Sequence, residues 1–146
     1  MDQDTARQTF DKWLQAWNSD DADWVRTFYQ ENAVLYQAPE KRSAVGREFV
    51  IGWWRILKQA APDTRTTINA LHVSGDTVVL EVNMKGTHSG EFLGYQPSGG
   101  VMDVDTCLAF IMEDERIAQH TTYLDVATML RAFGLISVPP AEAQAA

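Results

Sequence analysis

Basic residues are scarce in this chain: 12 Lys and Arg stand against 20 Asp and Glu, a net charge of −8. Such a balance disfavours a phosphate backbone or an anionic membrane as a partner, since both would repel it. Nucleic-acid and membrane association are therefore not expected. Cysteine is limited to Cys107. One cysteine cannot form an internal disulfide, and its place inside a strand-like run marks it as a buried, inert thiol. No stretch approaches 18 apolar residues, and the start, MDQDTARQ, has no apolar run of the signal-peptide kind. The expectation is a soluble, cytoplasmic protein.

Several chemical motifs are missing as well. Ser89 and Ser98 lie near glycines but not in G-x-S-x-G, so there is no nucleophile elbow. Gly86, Gly90, Gly94, Gly99 and Gly100 lack the spacing of a phosphate loop and read as turns. His72, His88 and His120 share no local metal-site spacing and have no cysteine partner, so no metal is expected.

What is present is enough apolar material, 45% of 146 residues, for one domain with a real core. From Thr5 to Trp17, Ala6, Phe10, Trp13, Leu14 and Trp17 recur at three and four, the spacing of an amphipathic helix. After Asn18-Ser19-Asp20-Asp21, a second short helix is expected with Trp24, Val25, Phe28 and Tyr29 as its stripe. Ala33 to Gln37 reads as a short strand closed by Ala38-Pro39, and Glu40 to Ser43 as a charged loop. A third helix, Arg47 to Ala60, is stopped by Pro62. All five tryptophans lie on these helices. Such rings signal a core but also line small-molecule pockets; Trp17, Trp53 and, on a later strand, Phe110 are candidates for a lining.

Four β-rich runs follow: Arg65 to Val73, Thr77 to His88, Val101 to Met112 and Arg116 to Leu124. They predict an antiparallel meander, and with helices first and one helix last the class is α+β, helices packed on one face of a curved sheet. In the second run, Val78, Leu80, Val82 and Met84 share one face and Glu81, Asn83 and Lys85 the other. Hydrophobicity puts the first face inside. A dimer interface on the outer side would instead let Glu81 or Asn83 look into a pocket. The domain spans residues 1–136, and 137–146, with no apolar period, reads as a loose tail.

The chain is organised around Arg116 to Gly134, RIAQHTTYLDVATMLRAFG, where a strand is expected to run into a helix at Asp125. Asp125 has two readings. It can cap the helix, for roughly 1 kcal/mol. Alternatively, period two sets Ile117, Gln119, Thr121, Tyr123 and Asp125 on one face, and in an apolar cavity desolvation would raise the Asp125 pKa toward that of a working acid–base group. Gln119 and Tyr123 would then hydrogen-bond a substrate carbonyl. Tyr36 and Gln37, ending the first strand, are further pocket candidates; His88 could reach a pocket rim, and His120 sits on the opposite parity from Asp125.

The segment GTHSGEFLGYQPSGG, followed by a strand, RIAQH, YLDVATML and FGL, resembles the SnoaL-like polyketide cyclases and ester cyclases. Gly46-Arg47-Glu48 and Ala61-Pro62-Asp63 extend the resemblance over roughly Thr5 to Leu135. It implies the cone-shaped fold of the nuclear transport factor 2-like superfamily, a homodimer through the sheet, and a cofactor-free site. It also implies an intramolecular aldol ring closure on a small apolar carbonyl compound, with the carboxyl of Asp125 as the key group; His120 and His88 are further catalytic candidates from their places in the chain. Where many relatives carry Glu and Trp, this chain has Gln119 and Thr121 around His120. A non-catalytic binding module, with Asp125 only a cap, is the rival reading; a lyase or isomerase on the same fold is a third. Epoxide hydrolysis is not expected, because Glu81 and Asn83 replace the Arg and Asp it would need.

Overall fold

In the computed structural model, which describes residues 1–137, the chain opens with α1 (Gln3–Trp17). Its start is set by Asp2, whose carboxylate accepts a hydrogen bond from the Thr5 amide at 2.7 Å, satisfying one of a helix's unpaired first donors. Ala6, Phe10, Trp13 and Trp17 are all buried, as their spacing requires. The expected second helix is cut short to a 3₁₀ turn (Ala22–Trp24) and a single α-turn, α2 (Val25–Phe28). Tyr29 instead begins β1 (Tyr29–Gln37), where it pairs with Ile117. The pairing with a distant strand overrides the local helical period.

Beyond a 3₁₀ turn at Ala38–Glu40, Lys41 takes a left-handed φ of 52° and the chain folds back as β2 (Arg42–Val45), paired antiparallel with β1. Part of the expected charged loop is therefore an edge strand. Short, charged strands are how sheets blunt their edges, which explains why it read as a loop. Next comes α3 (Glu48–Ala60), which buries Val50, Ile51, Trp54, Leu57 and Ala60. β3 (Arg65–Ser74), β4 (Thr77–Thr87), β5 (Val101–Glu113) and β6 (Arg116–Leu124) form the expected meander, and α4 (Val126–Ala132) closes the domain. The sheet order is β2-β1-β6-β5-β4-β3, with β1 and β6 parallel and every other pair antiparallel. Beyond Ser137, the expected tail lies outside the described residues.

The helices lie on one face of this sheet. Val78, Leu80, Val82 and Met84 point inward as hydrophobicity required, and Phe110 packs on Phe10 and Trp13 with ring centroids 4.8 and 5.5 Å apart. Glu81 and Asn83 point outward: Glu81 pairs with His72 at 2.7 Å, and the Asn83 amide donates to Asp103 and Asp105 at 2.7 and 3.0 Å. Neither faces the interior. Cys107 is half-buried on the same outer face rather than buried, and burial, helped by the Glu81 charge, pushes its thiol pKa up. That leaves it an unreactive thiol.

One irregularity in β6 decides which of its side chains face the interior. Met112 pairs with Ile117 but Ile111 pairs with Gln119, so Ala118 is an extra residue without a partner. This bulge reverses the alternation: Ile117 points inward, and after it His120, Thr122 and Leu124. A smaller second core of Ala60, Met84, Phe92, Met102, Val104, Leu124, Met129 and Phe133 lies beneath α4.

The loop between β4 and β5 is stitched to the end of α3, with the Ser89 and Gly90 amides both donating to the Ala60 carbonyl. A β-carbon on Gly90 would lie 1.9 Å from the Gln59 carbonyl oxygen, whereas one on Gly52 in α3 would meet nothing within 4 Å. Gly90→Ala should therefore cost about 2 kcal/mol or more through forced backbone movement. Gly52→Ala should stabilise by about 0.8 kcal/mol through helix propensity. Urea unfolding of both variants checks this; equal stabilities would show that the loop is not held against α3.

Candidate functional site

An open cleft of about 700 Å³ lies between α3 and the β1–β2 hairpin. Leu35, Gln37, Glu40, Arg42, Ser43 and Ala44 form one wall; Phe49, Gly52, Trp53 and Ile56 form the other, with Leu93 at the end. Its size falls in the span of small-molecule sites, about 300–1,000 Å³. Glu40 and Arg42 approach within 3.6 Å as an exposed ion pair, which adds charge to the rim but little stability.

Behind this cleft lie two smaller spaces. A void of about 10 Å³ is bounded by Gln37, Pro39, Glu40, Trp53, Thr122, Leu124 and Val126. Beyond it is a chamber of about 20 Å³, walled by Trp13, Trp17, Trp53 and Leu57 from the helices, and by Thr66, Val82, Met84, Thr106, Leu108, His120, Thr122 and Leu124 from the sheet. A space this size holds about one water molecule. Trp53, half-buried, lines all three spaces and is the partition between the cleft and the chamber.

The polar groups of the chamber are organised by a buried hydrogen-bonded string. The indole N–H of Trp13 donates to the Tyr29 hydroxyl at 3.1 Å, and that oxygen lies 2.8 Å from His120 Nδ1. Because the Tyr29 oxygen already accepts from Trp13, its own proton is satisfied only by donating to Nδ1. His120 therefore carries its proton on Nε2, which lies 3.3 Å from Thr122 Oγ1. Burial among the rings of Trp13, Phe110 and Tyr29 drives the His120 pKa down to about 3, because an imidazolium there would lose its hydration. Burial likewise raises the Tyr29 pKa. Both groups are neutral hydrogen-bonding partners, not proton carriers, at physiological pH.

Asp125 is placed differently from the pocket-facing expectation. It is exposed, its Oδ1 accepts the Thr128 amide at 3.0 Å and its Oδ2 accepts the Thr128 hydroxyl at 2.6 Å. These bonds, with the Arg131 charge, hold its carboxyl below the ordinary range, opposite to the rise expected from an apolar cavity. In this structure it caps α4.

The family model for SnoaL-like polyketide cyclases matches residues 7–133. The chain belongs to that family. Among solved structures, IdmH from Streptomyces antibioticus, designated a polyketide cyclase, is 27% identical over 88% of this chain and 97% of its own, with a TM-score of 0.76. A protein from Jannaschia sp. CCS1, designated a SnoaL-like polyketide cyclase, is 23% identical over 92% of this chain and 94% of its own, with a TM-score of 0.78. AclR from Streptomyces galilaeus, designated a hydroxylase, has the same fold at 19% identity and a TM-score of 0.84, over 99% and 94% of the two chains. No curated protein matches the sequence.

In this SnoaL-like chain the candidate residues divide between places. Gln37 and Trp53 line the cleft, and Trp17, Trp53 and His120 line the chamber. Phe110 is core, with its ring centroid 4.5 Å from that of His120. Gln119, Tyr123 and Tyr36 lie on the outer face, contrary to expectation, because the Ala118 bulge reverses β6 and because Leu35 and Gln37 take the inward positions of β1. His88 is also away from the cleft. It is fully buried against Phe133, at 4.3 Å between ring centroids, with Nδ1 2.9 Å from Ser98 Oγ and accepting the Ser98 amide at 3.3 Å. It latches the β4–β5 loop. Tyr29, Trp13, Thr106, Thr122, Glu40 and Arg42 were not among the site candidates: Trp13 and Tyr29 read as helix core, Glu40 and Arg42 as a charged loop, and Thr106 and Thr122 as strand residues. Among the described residues no group of three or more His, Cys, Asp or Glu side chains could hold a metal, and no helix is long and apolar enough to cross a membrane.

The depressed His120 pKa has a signed consequence. The unfolded chain binds a proton at this residue below about 6.5, whereas the folded chain stays neutral down to about 3. The stability held by neutral His120 is complete above pH 6.5 and drains as pH falls toward 3, at up to about 1.4 kcal/mol per pH unit. Urea midpoints between pH 7.5 and 4.5 should fall more steeply for the wild type than for His120→Asn. Parallel curves would mean that the ring titrates normally.

Proposed function

We propose that this chain is a cofactor-independent cyclase that closes a ring within an apolar compound carrying two or more carbonyl groups. The observation that carries the reading is the cleft: a mostly apolar trough of small-molecule size whose lining includes a carboxylate, Glu40, together with Trp53. The family and the likeness to IdmH support it. A proton on a carbon between two carbonyls is already acidic, so a positioned carboxylate and a fixed substrate conformation supply much of the acceleration.

Glu40 removes that proton; the resulting enolate carbon attacks a second carbonyl carbon of the same molecule; the new alkoxide takes a proton back from Glu40. The product is an isomer of the substrate, so no oxidant or co-reactant is consumed. Asp125 keeps the start of α4 beside Leu124 and Val126, where the cleft narrows. The rival reading, a non-catalytic binding protein, is favoured by one fact: both Asp125 oxygens are engaged by Thr128.

Mass-neutral ring closure of acyl-1,3-diketone substrates is the test. Glu40→Gln should lower kcat at least about 100-fold, the usual contribution of a general base. Asp125→Asn should leave kcat and stability near wild type, since asparagine caps as well as aspartate. The reverse pattern would move the base to Asp125, and no closure of any such substrate by the wild type would leave the binding reading standing.

We also place a second copy of the chain on the outer face of the sheet, where exposed Ile111 and Tyr123 adjoin half-buried Tyr36, Cys107 and Ala109 in an uncharged stripe. Light scattering should report a dimer that Ile111→Arg converts to a monomer. A wild type that is monomeric at micromolar concentration would remove this assignment.

A further inference from the structure

The ring closure proposed above needs a donor for the carbonyl oxygen that gains negative charge, and the open cleft offers for this the exposed Arg42 and Ser43 and the half-buried Gln37 side chains. The chamber behind Trp53 offers something different. Thr106 is buried, lines the chamber, and its hydroxyl has no hydrogen-bond partner. A buried hydroxyl without a partner costs free energy, so its presence calls for an occupant. On the neighbouring strand, and lining the same chamber, are the Nε2–H of His120 and the hydroxyl of Thr122, weakly joined at 3.3 Å. Thr66 is already accepting from Trp17 Nε1 at 3.2 Å. The chamber thus presents an imidazole N–H and hydroxyls, and no charged side chain lines it.

We infer that the chamber is a subsite for one uncharged oxygen, the carbonyl oxygen of a ketone or aldehyde, whose apolar body remains in the cleft. Tyr29 is its positioning residue, because its hydroxyl keeps the His120 proton on Nε2. This inference rests on the cleft being the ligand site. Three features support it. Its volume of about 20 Å³ admits an atom-sized group and not a ring. Its donors are neutral, so an entering carboxylate would lose its hydration without meeting a countercharge. The connecting void shares Thr122 and Leu124 with the chamber and Gln37 and Glu40 with the cleft, giving a continuous route once Trp53 turns. Among the described residues, Trp53 is the one tryptophan paired with no other aromatic ring; Trp13, Trp17, Trp24 and Trp54 all pack edge-on or stacked. It is the wall best able to move.

The test is binding, read by NMR on the full-length protein labelled at histidine and tryptophan, with acetophenone and benzoate as matched probes. Acetophenone should shift the His120 Nε2–H and Trp53 indole resonances together, and benzoate should move neither. Thr106→Val, the same shape without the hydroxyl, should weaken acetophenone about 2- to 10-fold, the span of one hydrogen bond, while Thr106→Ser should restore binding. Tyr29→Phe should shift the Nδ1 nitrogen signal as its hydrogen bond is lost, a change that a purely space-filling tyrosine would not produce. Equal binding of the two probes, or acetophenone binding that moves the Trp53 indole resonance and leaves the His120 Nε2–H unmoved, would overturn the assignment. Because nothing here depends on turnover, failure of the cyclase reading leaves this result interpretable, and failure of the subsite leaves the cyclase assay untouched.

Discussion

The hydrogen bond between Tyr29 and His120 is the interaction on which the interior depends. An imidazole can sit among Trp13, Phe110 and Tyr29 only if both of its nitrogens are satisfied without charge. Tyr29 does this for Nδ1, and Trp13 fixes the direction of the Tyr29 hydroxyl. The bond joins β1 to β6, the one parallel pair in the sheet. It also ties α1 to both strands through Trp13. Losing the hydroxyl would leave two buried groups unpaired at once, which is why a single tyrosine 91 residues from its partner matters to the whole domain.

Around that string, the molecule separates polar from apolar tasks. The cleft supplies area and shape from α3 and the β1–β2 hairpin, while the rigid sheet floor supplies the few polar groups. Trp53 stands where the two meet. This is the usual division in small-molecule sites, with apolar walls for affinity and a small number of fixed polar groups for orientation. Glu40 and Asp125 have separate duties. Asp125 is spent on Thr128 and so terminates β6 cleanly, leaving Glu40 as the carboxylate on the cleft itself.

Much of this was legible in the residues. Helical spacing identified α1 and α3, and alternation identified the four-stranded meander and the inward face of β4. Both readings of Asp125 were visible, since a carboxylate between a strand and a helix is as much a cap signal as a catalytic one. The errors arose where a distant strand overrode a local pattern. Tyr29 completes a helical stripe in sequence but pairs with Ile117 in the sheet. Arg42 to Val45 reads as a polar loop because an edge strand has no second neighbour to bury it against. Ala118 carries no mark of a bulge, yet it exchanged the inward roles of Gln119, Thr121 and Tyr123 for those of His120, Thr122 and Leu124.

The amino-acid order alone thus determined the class of fold and most of its elements, because periodicity, caps and breakers act over a few residues and survive without knowledge of their partners; the family was carried by the resemblance of the GTHSGEFLGYQPSGG segment and the motifs after it. Which side chains meet was decided only by the tertiary structure. Facing in a strand has a period of two, so one unpaired residue inverts everything after it. The inner chamber is lined by that strand, and its polar groups depend on an inversion that no local pattern encodes.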